Sequence, residues 1–267
     1  MNHLTDLIAP VQQILRDAGQ LILDAEHNDL QIERKSAANY VTEIDLDVQH
    51  FIVGHLQQLS PEIGIMAEEA DMNIAITDRP VWILDPIDGT TNFMHHCQHS
   101  SISLALAEGD QLLLGFVYNP FLNEMFIAER GCGATLNGRP IRVSTVDQLA
   151  ESLLGFGTNP YARARAHESF ARAEKVFLNS LELRRCGTCS LDLAYVACGR
   201  YDGFFEMLNH PWDFAAGLLL VREAGGYACN WQGQLHAIHT ADSMIATNGL
   251  IHDALYELVK ADPASGL

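Results

Sequence analysis

The stretch VWILDPIDGTTNF, residues 81–93, constrains this chain more than any other. Val81 to Leu84 read as a short buried β-strand. The strand ends on two carboxylates, Asp85 and Asp88, with Pro86 between them. Ionised carboxylates crowded at a strand end repel one another unless protons or cations intervene. Pro86 fixes its own φ and removes one backbone N–H, so the turn is stiff and both acids are expected to return to one cavity. Gly89-Thr90-Thr91 then turns backbone N–H groups outward at a helix start, where anions are attracted. On this stretch alone an alternative stands: Asp-Pro and Asp-Gly are ordinary turn dipeptides, and Thr90 or Thr91 is an ordinary helix N-cap.

Charge sharpens the choice. The net charge is −18 over 267 residues, and most of the excess lies in the first half. A surface this acidic repels phosphate backbones and disfavours direct nucleic-acid binding. A phosphate site in such a chain needs metal cations to reverse the local sign. Hard oxygen ligands beside an anion cradle are what a magnesium phosphatase requires. A hydrophobic content of 48% is enough to bury a substantial interior, in one large domain or in two halves sharing a core. Among the six cysteines, Cys186 and Cys189 have C-x-x-C spacing once, with no second pair to make a zinc ribbon. Asp6, Pro10, Arg16 and Asp17 interrupt any leader-like run, and the uncharged stretch 111–123 is too short to span a bilayer. The expectation is a cytoplasmic protein with reduced thiols and no membrane partner.

Apolar spacing predicts a helix over 4–26 that tolerates Pro10 in an early turn, then a polar loop and a second helix over 42–59. Residues 63–66 form a short apolar run ending at Glu68. Strands are predicted at 102–107, 112–118, 124–129 and 134–143, with turns at Gly131 and at Asn137-Gly138. The second half reads as a strand at 152–157, a helix at 165–178, a helix at 190–199 closed by Gly199, and a strand at 202–208. A helix at 212–224 stopped by Gly225-Gly226, a strand at 244–247 and a helix at 250–260 complete it. This alternation suggests mixed α and β structure, with sheets sandwiched between helix layers.

Four blocks, in order, resemble the inositol monophosphatase family: KSAANYVTEID (35–45), MAEEAD (66–71), DPIDGTTNF (85–93) and WDFAAGLLLVREAGG (212–226). RRCGTCSLDLAYVACGRYDGFFEM (184–207) is similar to the bacterial SuhB-type branch of that family. The resemblance covers nearly the whole chain. It implies a layered αβαβα sandwich over 1–267, with sub-lobes of about 1–145 and 146–267, usually a homodimer and inhibited by lithium. It implies two to three Mg²⁺ ions. Glu68, Asp85 and the carbonyl of Ile87 resemble the ligands of the first. Asp85, Asp88 and Asp213 resemble those of the second, and a looser third would lean on Glu68 and water. Thr90 and Asp45, with Glu68, resemble the group that positions and activates the attacking water. The N–H groups of Gly89 and Thr90 would hold the phosphate. Gly187, Cys189, Glu206 and Asp213 resemble the polyol-binding wall, and Lys35 matches an auxiliary basic residue near the site.

The activity so implied is hydrolysis of inositol monophosphate or a related polyol or sugar phosphate by in-line attack of water. Two alternatives accompany it. SuhB-type proteins resemble partners of the transcription and antitermination machinery, where hydrolysis is secondary. Fructose-1,6-bisphosphatase or 3′-phosphoadenosine nucleotide phosphatase activity stays within the enzyme class; the run TTNF, rather than one with a charged residue, favours inositol. The run MHHCQH (94–99) is read as a loop, because adjacent ligands rarely converge on one ion without partners elsewhere. The family commonly has Pro near position 98, where this chain has Gln98. Cys189 is read as a packing residue, with an oxidation-sensitive thiol or a redox pair with Cys186 as the alternative. Arg184 and Arg185 are read as a solvated or interface pair.

Overall fold

The computed structural model describes residues 4–26, 32–34, 40–69, 79–158 and 160–260. The chain opens with α1 (Leu4–Ala25), whose Leu7, Val11, Ile14, Leu15, Ala18 and Ile22 are buried at helical spacing while Pro10 sits on the exposed face. A small antiparallel ribbon, β1 (Ile32–Arg34) and β2 (Tyr40–Thr42), leads into α2 (Glu43–Leu59). The sequence reading treated that ribbon as loop; three-residue strands carry too little periodicity to be seen.

A seven-stranded sheet follows, in chain order: β3 (Gly64–Ala67), β4 (Pro80–Asp88), β5 (Ser101–Glu108), β6 (Gln111–Asn119), β7 (Glu124–Glu129), β8 (Gly133–Leu136) and β9 (Arg139–Pro140). The short helix α3 (Thr90–Met94) lies between β4 and β5. Only β3 and β4 are parallel; from β4 onward the sheet is an antiparallel meander. The span 134–143 is divided into β8 and β9 by the turn expected at Asn137 (φ 49°) and Gly138 (φ 76°), and the strand ends at Pro140 rather than Val143.

The second sheet has five strands in the order β11-β10-β12-β14-β13. They are β10 (Leu153–Phe156), β11 (Glu182–Arg184), β12 (Gly203–Asn209), β13 (Tyr227–Cys229) and β14 (Asp242–Thr247). Its helices are α4 (Ala166–Phe177), α5 (Cys189–Ala197), α6 (Pro211–Glu223) and α7 (His252–Lys260). The short edge strands β11 and β13 were not anticipated.

Strand parity explains the layering. On β4, Trp82 and Leu84 pack with α1 and α2, whereas Val81 and Ile83 pack with α5 and α6. On the second sheet, Phe204, Met244 and Ala246 face α5 and α6, and Leu154, Phe205 and Ile245 face α4 and α7. The central helices are buried on every side: every residue of α5 is buried, Ser190 and Asp192 included, as is the apolar run 214–221 of α6. A helix with no solvent-facing side sits between two layers, here the two sheets. The layers are therefore α1/α2, seven-stranded sheet, α5/α6, five-stranded sheet and α4/α7, the expected αβαβα order. Trp82, fully buried, donates its indole N–H to Ser60 Oγ at 3.1 Å. That pairing lets a large apolar body enter the core without an orphaned polar atom.

Candidate metal and phosphate site

β4 does not end at Leu84. It runs to Asp88 through a bulge: Asp85 is opposite Ser103 and Asp88 opposite Ser101, so three steps on β4 match two on β5. In an unbroken strand, residues three apart point to opposite faces. The extra residue restores parity, and both acids line one cavity of about 410 Å³. Pro86 falls inside the bulge, where no ladder donor is needed. Asp85 Oδ1 accepts the Ile87 N–H at 3.0 Å and braces the bulge. The acids that looked like a turn thus end a core strand facing α5.

The other groups arrive from four elements. The Glu68 N–H extends the parallel ladder to Leu84 O (3.1 Å), which sets Glu68 beside Asp85 at the carboxyl ends of both strands. Asp45, in the first turn of α2 and 1% exposed, accepts from Thr90 Oγ1 at 3.2 Å. The same hydroxyl lies 3.1 Å from Ile87 O. Asp213, the third residue of α6, accepts the His210 N–H at 2.7 Å, closing the helix start. Asp88 Oδ2 accepts both the N–H (2.7 Å) and the hydroxyl (2.5 Å) of Ser190 in the first turn of α5. Gly89, at φ 90°, initiates α3, and a Cβ there would stand 2.6 Å from Thr188 Oγ1. Four helix starts, those of α2, α3, α5 and α6, therefore meet at the acids, where their N-terminal N–H groups favour negative charge.

Those starts do not neutralise the site. Asp85 is pushed well above the usual carboxylate range, first by burial, then by Glu68, Asp88, Asp213 and Asp45. Burial and the charges of Glu68 and Asp88 push Asp213 up as well, against the His210 N–H. Asp88 rises less, to about 6, because the Ser190 donors oppose its burial. A cluster of this kind accepts divalent cations. The donors are carboxylates and one backbone carbonyl, with no imidazole or thiolate among them, a set that fits Mg²⁺.

Comparison with known proteins gives the family. A family model described as the inositol monophosphatase family matches residues 3–263. The chain belongs to the inositol monophosphatase family. A Xylella fastidiosa protein named Nus factor SuhB is 39% identical over 82% of this chain and 79% of its own length. An inositol-1-monophosphatase of Rhizobium meliloti is 37% identical over 94% of both. The crystal structure of the extragenic suppressor protein suhB from Bartonella henselae superposes with a TM-score of 0.89 at 32% identity, covering 98% of this chain and all of that one. This member of the inositol monophosphatase family is a phosphatase. No helix among the described residues is long and apolar enough to cross a membrane.

Within the family frame, the cavity brings together Glu68, Asp85, Ile87, Asp88, Gly89 and Thr90 with Gly187, Cys189, Glu206 and Asp213. Asp45 meets them through Thr90. Lys35, together with the rest of 35–39 and Asp71, lies outside the described residues. Cys189 is buried, and burial plus Glu206 and Asp88 hold its thiol well above the usual range. All six cysteines are free thiols.

The sequence reading missed several groups. Arg184 and Arg185 are both exposed, as expected of a solvated pair, but Arg185 also lines the cavity and donates to Thr158 Oγ1 at 2.9 and 3.2 Å. Asn92 Nδ2 lies 2.7 Å from His99 O and 2.9 Å from Cys186 O, tying α3 to the opposite wall. Ser190 anchors Asp88, and Gly157 touches Glu206: a Cβ there would meet the Glu206 carboxyl carbon at 2.0 Å. Each acts through a contact distant in sequence, which no local spacing signals. The 95–100 loop also explains Gln98. Its φ is 54°, which proline, fixed near −65°, cannot adopt.

Proposed function

We propose that this phosphatase is a Mg²⁺-dependent phosphomonoesterase that releases phosphate from inositol monophosphate or a closely related polyol phosphate. The observation that carries the reading is the bulge that turns Asp85 and Asp88 into one cavity with Glu68 and Asp213. Glu68, Asp85 and the Ile87 carbonyl would hold one ion; Asp85, Asp88 and Asp213 would hold a second, with a third on Glu68. When bound, such ions polarise phosphoryl oxygens, acidify water and stabilise a leaving alkoxide. Thr90, anchored to Asp45, orients the attacking water with Glu68 at its side. The outward N–H groups of Gly89 and Thr90 receive the phosphate oxygens. Glu206 and Asp213 offer acceptors for polyol hydroxyls against the backbone of Gly187 and the side chain of Cys189. Arg185 and Arg163, which also line the cavity, offset its carboxylates and draw an anionic substrate inward. Water is delivered in line, and no side chain need form a covalent intermediate. The catalytic unit is proposed to be a cytoplasmic homodimer.

The test is phosphate release from inositol 1-phosphate, fructose 1,6-bisphosphate, 3′-phosphoadenosine 5′-phosphate and β-glycerophosphate, each with Mg²⁺, with EDTA, and with Mg²⁺ plus Li⁺. Release led by inositol 1-phosphate, abolished by EDTA and reduced by Li⁺, is the expected outcome. Preference for either bisphosphate would move the substrate assignment.

A second reading has its own support in the relative named Nus factor SuhB. In it, the chain also docks on a component of the transcription machinery. Pull-down with a hydrolysis-dead Asp85→Asn chain separates the two: retained capture makes docking independent of the metal site, and no capture by either form removes this reading.

A further inference from the structure

Among the described residues, one group with a very different donor set converges beside the carboxylates. An imidazole nitrogen of His99, the thiol of Cys186 and a carboxylate oxygen of Asp192 all lie within 4.8 Å of one another. They come from three places: the loop after α3, the segment before α5, and α5 itself. His99 thus has the distant partners that adjacent histidines in a loop usually lack. His95 and His96 are not part of the group.

Two unsatisfied atoms point to a missing ligand. Asp192 is 1% exposed, yet its Oδ1 is buried with no hydrogen-bond partner. His99 Nε2 is likewise buried without one. A buried carboxylate oxygen and a buried ring nitrogen left unpaired are costly, and native structures normally pair them with protein, water or an ion. Around them, Tyr201 Oη lies 3.2 Å from Cys186 Sγ, and the His99 carbonyl accepts from Asn92 and Thr188. These are the outer contacts that hold metal ligands in place.

We propose that His99, Cys186 and Asp192 bind a transition-metal ion of the zinc class, separate from the magnesium site. Nitrogen, thiolate and carboxylate together select Zn²⁺ or Co²⁺ over Mg²⁺. Bonds of about 2.0–2.3 Å put tetrahedral donors about 3.3–3.8 Å apart, so side-chain shifts of about 1 Å close the present spacing. Three protein ligands leave a fourth position for water, and Asp192 also lines the catalytic cavity. The ion would fasten the 95–100 loop to α5 and thereby brace the turn carrying Gly89 and Thr90. This inference does not depend on which phosphate ester is cleaved.

The test uses the full chain, stripped with chelator, returned to excess Mg²⁺ and titrated with Co²⁺, with zinc content measured in parallel after Zn²⁺ loading and gel filtration. A thiolate-to-Co²⁺ charge-transfer band in the near ultraviolet, and one retained zinc per chain, are expected. Cys186→Ser should abolish the band, His99→Phe should lower zinc affinity at least tenfold, and Cys189→Ala should leave both unchanged. Circular dichroism of each variant confirms the fold. The proposal is overturned if the parent chain gives no band, if Cys186→Ser keeps it, or if Cys189→Ala removes it, since that would place the ion among the catalytic acids.

Discussion

The two walls of the cleft are built by different rules. One wall descends from the seven-stranded sheet: Glu68, Asp85 and Asp88 lie at the ends of β3 and β4, and their spacing is set by hydrogen-bond ladders and one bulge. The facing wall is assembled from Gly157, the start of α5 and Glu206 on β12, which meet only through tertiary packing. The first wall concentrates negative charge against burial; the second supplies donors and shape. Asp88 shows the difference within a single residue, since the Ser190 donors from the facing wall hold it at about 6, while burial and the charges of Glu68, Asp88, Asp213 and Asp45 drive Asp85 further up. Charge gathered on the sheet wall calls for a cation as its partner, the role proposed for Mg²⁺, and the Ser190 donors lessen that demand at Asp88.

The largest expected effect breaks the sheet wall. Asp85→Asn removes a ligand proposed to serve both ions, so kcat/KM should fall by about 10³-fold or more, equivalent to several kcal/mol. The fold should survive, because the change also removes a buried like-charge contact, and the metal-free Tm should stay level or rise. Near-normal turnover by a folded Asp85→Asn protein would sink the metal assignment.

The next effect concerns pH. Asp88 is raised from 3.8 to about 6 by burial. An acid whose folded pKa is raised favours the folded state when protonated, so its contribution is lost as pH climbs from about 4 through 6. That window corresponds to about 3 kcal/mol against an ordinary carboxylate. In EDTA, Asp88→Asn should therefore gain on the parent chain as pH rises from 4.5 to 7.5, and Mg²⁺ should cancel the gain by stabilising only the parent. Parallel Tm curves with and without Mg²⁺ would show that Asp88 does not meet the ion.

These contrasts also mark how far the sequence could be read. Sheets between helix layers were legible in the alternation of helix and strand patterns, and the αβαβα order in the family resemblance; parity on β4 and the full burial of α5, Ser190 and Asp192 included, emerge only from the packing. Asp85, Asp88 and Asp213 were legible because strand end and helix start place them within a few residues of a recognisable block. The bulge was not: nothing in Asp-Pro-Ile-Asp distinguishes a bulged strand from a turn until Ser101 and Ser103 on the neighbouring strand set the register. Ser190, Asn92, Gly157 and Arg185 were invisible for the same reason, since their partners lie 27 to 102 residues away or across sheets. The loop reading of 94–99 holds from His95 onward, Met94 being the last residue of α3, and the approach of His99 to Cys186 and Asp192 within 4.8 Å could not be read from local spacing.

The facing wall can be disturbed without touching a charge. Gly157 needs no left-handed φ, so alanine is acceptable to the backbone, but its methyl must displace the Glu206 carboxylate. Gly157→Ala and Glu206→Gln should then act alike, raising KM for inositol 1-phosphate about tenfold, the worth of one hydrogen bond to a charged group, with kcat changed less. Should Gly157→Ala lower kcat as severely as Asp85→Asn, the two walls would not be separable.

The smallest effect is expected at Cys189, where both walls touch. Its thiol lines the cavity, yet burial and the charges of Glu206 and Asp88 keep it protonated. A thiol attacks only as thiolate, so iodoacetamide at pH 8 should label exposed Cys97 well before Cys189, read by peptide mass spectrometry. Cys189→Ala should shift stability by no more than about 1 kcal/mol and leave kcat within about twofold, because a small buried hydrophobe is exchanged for a smaller one. If Cys189 were instead labelled first, and Mg²⁺ slowed the labelling, the acids around it would have to be paired before the ion arrives. The sheet wall would then be less charged than its geometry implies.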